Sequence, residues 1–362
     1  MKCWHNAFTD AILTRTKAAP GAAEHGGAGY DARTDAARRT REHGAAARTA
    51  MRKPGWQRGR ALASLSVLVA LLLAFPTAVP NWPGHLGSLV ETFLPWLGLA
   101  VPGLLIAALV RRSLLAVTAL LLPAAAWLGA FGGLLLSGGG PADAVTITAV
   151  QHNVSDENPD PAGTARALIN SRADLIALEE LTPAALPVFG AALAPDYPHH
   201  ATRGTVGLWS RFPLSDVQLV DIRPRGIGAG WNRGLRVTAE TARGQVAVYV
   251  AHLPSVRIGP AKGFSSAPRD ESAVLLGEVI RAESLDRVIL LGDFNGTMDD
   301  RGLVPVTSQM NSTGPGFAFS WPASLPVARI DQIMARSATV TEVWSLPRTG
   351  SDHVPIGARI EL

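Results

Sequence analysis

Hydrophobic and polar positions divide this chain into three stretches of different texture. Residues 1–58 mix Ala, Gly, Arg, Thr and Asp without an apolar period. From 61 to 140 the only formally charged residues are Glu91, Arg111 and Arg112. Apolar runs fill 61–80, 88–110 and 114–136 of that stretch. Each reaches the ~20 residues needed to cross a ~30 Å hydrocarbon core. A backbone in lipid must close its own hydrogen bonds, so the runs predict three transmembrane helices. They lack the polar stripe that a helix on a soluble domain carries. After Asp143 short apolar segments replace the long runs. Their β-branched content predicts strands at 145–150, 175–178, 206–209, 235–239, 246–251, 288–291, 328–334 and 354–360. Helical spacing appears at 162–171 and 272–283. Strands with interspersed helices predict an α/β domain with packed sheets.

Composition agrees with this division. The chain has 362 residues, 47% hydrophobic and 17% charged. Soluble domains average about 25% charged residues, so part of the chain is expected outside water. The net charge is +4, but the basic excess lies before residue 59 and gives the later domain no nucleic-acid signature. Cys3 is the only cysteine, which excludes an intramolecular disulfide framework and a cysteine metal cluster. Residues 1–58 cannot bury enough apolar surface to offset their ordering entropy and read as a disordered basic tail. Met51, opening MRKPGWQRGR, is an alternative start.

Basic residues give the spans a direction. Arg52, Lys53, Arg58 and Arg60 precede the first run, the loop 81–87 has no Lys or Arg, and Arg111 and Arg112 separate the second run from the third. This predicts a multi-pass plasma-membrane protein with a cytoplasmic N-terminus. A linker at 137–144, containing SGGGP, then leads to an extracytoplasmic domain over 145–362.

Candidate chemistry sits at the strand ends. Asn153 follows VTITAVQH, and Glu179 and Glu180 follow DLIAL. His252 follows VAVYVA, Asp293 and Asn295 follow VILLG, and Asp331 follows VARI. Asp352 and His353 precede the last strand. Strand ends at one sheet rim are where loops gather functional groups. Carboxylate and amide oxygens suit a hard cation such as Mg²⁺, which takes one or two carboxylates and completes its shell with water and phosphate. Phosphoester hydrolysis also needs a group that orients water and donors facing the phosphate.

In order and company, the blocks VQHNV, ADLIALEEL, SRFPL, VAHLP, LGDFN, ARIDQI and GSDHVPI resemble the endonuclease/exonuclease/phosphatase superfamily of DNase I-like enzymes. The resemblance covers 145–362 and implies a four-layer α/β sandwich, here preceded by the three transmembrane helices. It further implies Glu180 and Asn153 as Mg²⁺ ligands, with Mn²⁺ as an alternative ion and Asp352 on the metal side. Asp293 would position or deprotonate the attacking water, and Asn295 would hold water or phosphate. His353 would face the scissile phosphate, oriented by Asp331. His252 would contact phosphate or protonate the leaving oxygen. The chain departs from some nucleases of the family at Ser155, where they carry an acidic residue, and at Gln332, where a tyrosine is frequent.

The anchor resembles that of the VanJ-like membrane subgroup, associated with the cell envelope and glycopeptide-antibiotic resistance. It favours a lipid-linked phosphate or pyrophosphate, or a phospholipid headgroup, as substrate and the lipid bilayer as partner. A membrane-tethered nuclease is the alternative. It is less favoured because 254–269 offers only Arg257, Lys262 and Arg269 as cations and no aromatic platform is evident. A non-catalytic sensor of phosphorylated ligand is a third reading. No protein partner is predicted.

Overall fold

A computed structural model describes residues 59–136, 145–260, 263–312 and 314–362. The expected tail and linker lie outside the described residues. Everything described belongs to one compact unit, Pro54–Leu362.

The apolar stretch forms helices, but not three equal spans. Helix α1 covers Arg60–Ala74 and stops where Pro76 opens a 3-10 turn. Its 15 residues rise ~22 Å, short of a ~30 Å core. The second run divides into α2 (Leu86–Thr92) and α3 (Ala100–Val110), separated by a 3-10 turn at Leu94–Leu99. The segments Leu86–Thr92 and Leu94–Val110 meet at a 70° bend, where Pro95 follows Leu94. The third run contains α4 (Leu114–Ala119) and α5 (Leu121–Phe131) and continues as one apolar helix over Leu114–Leu135, 22 residues long. By length and composition, one described helix can cross a membrane, or two if the bent pair counts as one span. Val69, Leu73, Leu104, Ala108, Leu120 and Phe131 pack these helices together.

The rest is a sandwich. Strands β1 (Thr146–Asn153), β2 (Leu175–Glu179), β3 (His199–Arg203) and β4 (Val206–Ser210) enter the first sheet. Helices α6 (Pro161–Asn170) and α7 (Leu186–Leu193) lie between them in sequence. Strands β5 (Leu214–Leu219), β6 (Gly234–Thr241) and β7 (Gly244–His252) build the second sheet. A hairpin, β8 (Arg257–Gly259) and β9 (Gly263–Ser265), precedes α8 (Ala267–Ala282). Then come β10 (Val288–Asp293), α9 (Val304–Thr307), β11 (Asp331–Arg336), β12 (Thr339–Ser345) and β13 (Ile356–Glu361). The first sheet runs β12-β13-β1-β2-β4-β3 and the second β11-β10-β7-β6-β5.

Alternation explains the layering, because successive side chains leave a strand on opposite faces. Leu175 and Ala177 face the second sheet and join Val248, Val250, Ile289 and Leu291 in the central core. Ile176 and Leu178 face outward and pack with Leu168 and Phe189 of α6 and α7. On the far side Leu290 and Tyr249 meet Leu276 and Ile280 of α8. Each aliphatic side chain so buried contributes roughly 1.5–3 kcal/mol. The result is the expected four-layer α/β/β/α sandwich. Close packing forces a glycine at 292, where a Cβ would stand 1.9 Å from the Ala251 carbonyl oxygen.

Candidate active site

Register and alternation assemble the site. Asp293 pairs with His252 on the parallel neighbour β7 and with Asp331 on the antiparallel neighbour β11. In the opposite sheet Asn153 pairs with Glu179. Asp293, His252 and Asp331 share the alternation phase of the core residues Leu291, Val250 and Ile333, so they point between the sheets. Gln151, Asn153 and Glu179 do so from the other side, in phase with Ala149 and Ala177. Six polar side chains thus converge at one end of an apolar sandwich.

Asp293 is the hub. Its Oδ2 accepts from Asn153 Nδ2 at 3.1 Å, and its Oδ1 accepts from the Asn295 backbone N–H at 2.9 Å. His252 Nε2 lies 3.6 Å and His353 Nε2 3.8 Å from the same Oδ2. Only 1% of Asp293 is exposed. Burial and the nearby Asp331 charge push its carboxyl up to about 7.

His353 and Asp331 form a tight pair, with Nδ1 2.8 Å from Oδ2. Burial opposes charge on the imidazole, but Asp331 and Asp293 outweigh it and hold the ring protonated up to about 10. Burial likewise opposes the Asp331 charge, yet His353 keeps that carboxyl below its usual range. Gln151 Nε2 donates to Asp331 Oδ1 at 3.0 Å and to Glu179 Oε2 at 2.7 Å. Ser320 Oγ accepts from the Asp331 backbone N–H, and Ser351 Oγ accepts from that of His353.

The two adjacent glutamates separate sharply. Glu179 ends β2 inside the sandwich, fully buried, and burial with Asp331 and Asp293 raises its carboxyl well above the usual range. Glu180 adopts φ +57°, which breaks the alternation and turns its side chain to the rim. There Oε2 accepts from the Asp156 N–H at 3.1 Å, and Oε1 lies 3.8 Å from His252 Nε2. Asn295 also takes a left-handed φ of +48° and donates its side-chain amide to the Leu253 carbonyl at 3.0 Å.

His252 is fully buried, and burial, Arg233 and His353 drive its pKa well below the ordinary value. Its Nε2 lies 3.6 Å from Asp293 Oδ2 and 3.8 Å from Glu180 Oε1, which puts both expected roles, contact with phosphate and protonation of the leaving oxygen, at this group. Asp352 stands exposed at the edge. Its carboxylate helps keep His353 charged, and its carbonyl accepts from Ala323 N–H at 2.7 Å. Asp293, Asp331 and His353 are the acid–imidazole group whose atoms lie within 4.8 Å of one another. Asp352 is outside that group.

Three contributors were not foreseen. Arg233 places its guanidinium 3.1 Å and 3.2 Å from the two ring nitrogens of His252. Burial lowers its pKa, countered by Glu180, Asp293 and Asp156, whose negative charge it offsets. Gln151 links the two sheets through Asp331 and Glu179. Arg269, expected as a loop cation, is fully buried. It donates to Asp270, to Asp300 and to the Asn295 carbonyl, so it braces the Asn295 loop and is closed to a polyanion.

A hard cation fits on the Glu180 side. His353 Nδ1 is spent on Asp331 and the ring stays protonated, so the Asp293–Asp331–His353 group is charge-paired and poorly suited to ligation. Glu180 offers a rim carboxylate, and among the described residues Asn153 Oδ1 accepts only the short-range Ser155 N–H bond at 3.0 Å. One carboxylate and one amide oxygen match the sparse protein shell that Mg²⁺ takes.

Solved structures share this architecture. One is the endonuclease/exonuclease/phosphatase of Bacteroides vulgatus, at TM-score 0.50 and 16% identity, covering 60% of this chain and 99% of that one. Beta toxin 275-280 from Staphylococcus aureus aligns at TM-score 0.49 and 15% identity, over 59% and 99% of the two chains. Sphingomyelinase C from Streptomyces griseocarneus aligns at 0.45 and 17%, over 59% and 99%. No curated protein matches the sequence. The model of the Endonuclease/Exonuclease/phosphatase family matches residues 150–353, more than half of the chain and the whole span from Val150 to His353 that builds the site. The chain belongs to the endonuclease/exonuclease/phosphatase family.

Proposed function

We propose that this protein is a membrane-anchored, Mg²⁺-dependent phosphoester hydrolase whose extracytoplasmic site acts on a lipid-linked phosphate or pyrophosphate, or on a phospholipid headgroup. The observation that carries the hydrolase reading is the opposition of two proton states across a 3.8 Å gap. Asp293, pushed up to about 7, is poised to accept a proton, while His353 stays charged to about 10. Such a split between neighbours is the signature of acid–base work.

Asp293 would take a proton from the attacking water as its oxygen bonds to phosphorus and the bond to the leaving oxygen breaks. His353, held by Asp331, would donate to a non-bridging phosphate oxygen, where negative charge grows in the transition state. Arg233 and neutral His252 would flank the same phosphate. Asn295 would fix the water or phosphate from the loop side. Glu180 and Asn153 would hold the cation, with the expected Asp352 ligand adding charge at the edge. A bound Mg²⁺ would supply Lewis-acid polarisation of the phosphoryl group.

The address rests on other features. The apolar helices and the alternation of basic residues support an anchor with a cytoplasmic N-terminus, a VanJ-like arrangement in the cell envelope. The burial of Arg269 removes a cation from the surface on which a nuclease would rely. Tethering raises effective concentration at a lipid substrate.

The test is a substrate panel on purified full-length protein in detergent: a lipid pyrophosphate, phospholipids, plasmid DNA and a soluble phosphodiester, each with Mg²⁺ and with chelator. Mg²⁺-dependent hydrolysis of a lipid phosphate is expected. Plasmid nicking without lipid hydrolysis would replace this reading with the nuclease. Asp293→Ala and His353→Ala should each lower the rate ~10²-fold or more; unchanged rates remove the site. A reporter active only outside the cytoplasm, fused after Leu362, should be active.

A further inference from the structure

A cavity lies where the apolar helices meet the sandwich. It encloses about 400 Å³, within the ~300–1,000 Å³ range of ligand pockets. Its walls include Trp96, Leu99 and Val101 from the bent second run, Trp127 from α5, and Phe317 and Phe319 from the loop before β11. No lining residue carries a charge or a hydroxyl. The two indole donors are already spent, Trp96 Nε1 on the Val327 carbonyl at 2.6 Å and Trp127 Nε1 on the Pro95 carbonyl at 2.8 Å. A polar occupant would lose its hydrogen bonds to water and gain none, at several kcal/mol per group.

The rings form a continuous ladder. Trp127 stacks on Phe317 at 6.4 Å, Phe317 meets Phe319 at 5.4 Å, and Phe319 stacks on Trp96 at 5.5 Å. At the mouth Leu99 and Leu128 are 63% and 57% exposed, and Ile106 and Leu121 on the same helices are as bare. The Phe319 wall is linked through the chain to the Asp331–His353 pair. Phe319 precedes Ser320, whose Oγ accepts from Asp331 N–H at 3.3 Å and whose carbonyl accepts from Val354 N–H, next to His353, at 2.7 Å.

We infer that this cavity holds the hydrocarbon tail of the substrate, so that a lipid bound by its chain presents its phosphate to Asp293 and His353. The inference rests on the lipid-phosphate reading and adds the site that selects for chain length. A tail matches a lining with no free donor or acceptor, a mouth among bare leucines, and a wall one residue from the Asp331–His353 support.

The test uses the full chain in mixed micelles with monoalkyl phosphates of four, eight, twelve and sixteen carbons at a fixed mole fraction. Wild-type kcat/KM should rise at least tenfold from four to twelve carbons. Ala124→Phe and Val101→Phe, which fill the cavity from two sides, should abolish that rise and leave the four-carbon rate within twofold. Variants that keep the full rise overturn the inference. A twelve-carbon phosphate with a terminal diazirine gives an independent readout. Labelling of 95–102, 124–128 and 317–319 that Ala124→Phe suppresses supports the cavity. Labelling spread over the helix faces and indifferent to the variant overturns it. If no alkyl phosphate is cleaved while a soluble phosphodiester is, the lipid reading fails, and the labelling still decides whether the cavity takes a chain.

Discussion

Glu91, the one carboxylate in the apolar stretch, pairs with Arg301 of the catalytic domain at 2.8 Å. Glu91 is fully buried, and both the backbone N–H and the Nε of Arg301 donate to it. The same guanidinium reaches the carbonyls of Val79 and Pro76. The neighbouring Asp300 accepts from Arg269, which in turn donates to the Asn295 carbonyl. A polar chain therefore runs from α2 into the Asn295 loop. It also accounts for the broken second run. A charge at the centre of a span costs ~2.5–3.5 kcal/mol or more, and here the carboxylate is withdrawn into the protein.

Breaking that pair should loosen the anchor and the site together. Glu91→Ala leaves Arg301 without its charge partner, at a cost of about 3 kcal/mol. The thermal midpoint in detergent should fall, and kcat should drop several-fold as the Asn295 loop loses its brace. The double variant E91L R301M replaces both charges with apolar volume. It should recover much of the midpoint but not kcat. Equal recovery of both would show that the pair serves stability alone.

The Asp331 charge raises the pKa of both Asp293 and His353. The proposed mechanism needs Asp293 ionised and His353 protonated, so the rate should climb through about 7 and fall near about 10. Asp331→Asn removes the charge that raises both groups. Both limbs of the pH–rate profile should then move to lower pH, and the maximum should fall ~10²-fold or more. A profile displaced to higher pH would contradict the pairing.

Arg233 offsets the negative charge of Glu180, Asp293 and Asp156, and its Trp231 ring contact at 5.2 Å steadies it. Arg233→Ala should lower kcat/KM by ~10²–10³-fold, the scale for loss of one preorganised donor to a transition-state oxyanion. Arg233→Lys keeps the charge and loses the fork, so it should fall between. An unaltered rate in both would leave Arg233 only a neighbour of His252.

The candidate residues that converge were legible because polar groups at the ends of strands buried in a sandwich stand out against the apolar runs before them. VILLGD and VAVYVAH place Asp293 and His252 at the ends of strands buried on both faces. Gln151 was overlooked because it lies within a strand, where a polar residue reads as solvent-facing, and its contacts are 28 and 180 residues away. Arg233 lies in an irregular segment before β6 and has no periodicity to mark it. Alternation alone selects Glu179 for the site; the positive φ at Glu180 is a backbone event that hydropathy does not carry. The breaks in the apolar runs are hidden from a length count for a similar reason. Pro76 and Pro95 interrupt the first two runs, and the partner of Glu91 lies 210 residues away.

A last prediction concerns stability in acid, far from the rim. Arg236 donates through Nε and one terminal nitrogen to Glu283, at 3.0 Å and 3.1 Å, and Tyr249 adds its hydroxyl at 2.7 Å. Both charged side chains are almost fully enclosed, 8% and 4% exposed. Burial opposes the Glu283 charge, but the bonds from Arg236, the Leu285 N–H and Tyr249 lower its pKa from 4.5 to about 2. A carboxyl with a depressed folded pKa contributes stability above its unfolded value and loses it as pH falls through the folded value. The protein should therefore lose stability progressively from about pH 4.5 toward about 2. Glu283→Gln should cost about 1–3 kcal/mol at neutral pH, because Arg236 loses its charged bidentate partner and keeps only the Asp216 carboxylate. The variant should also show a flatter decline in the acid range. Thermal midpoints of both proteins between pH 7 and pH 3 measure this, and parallel curves would mean that Glu283 is not the group being titrated.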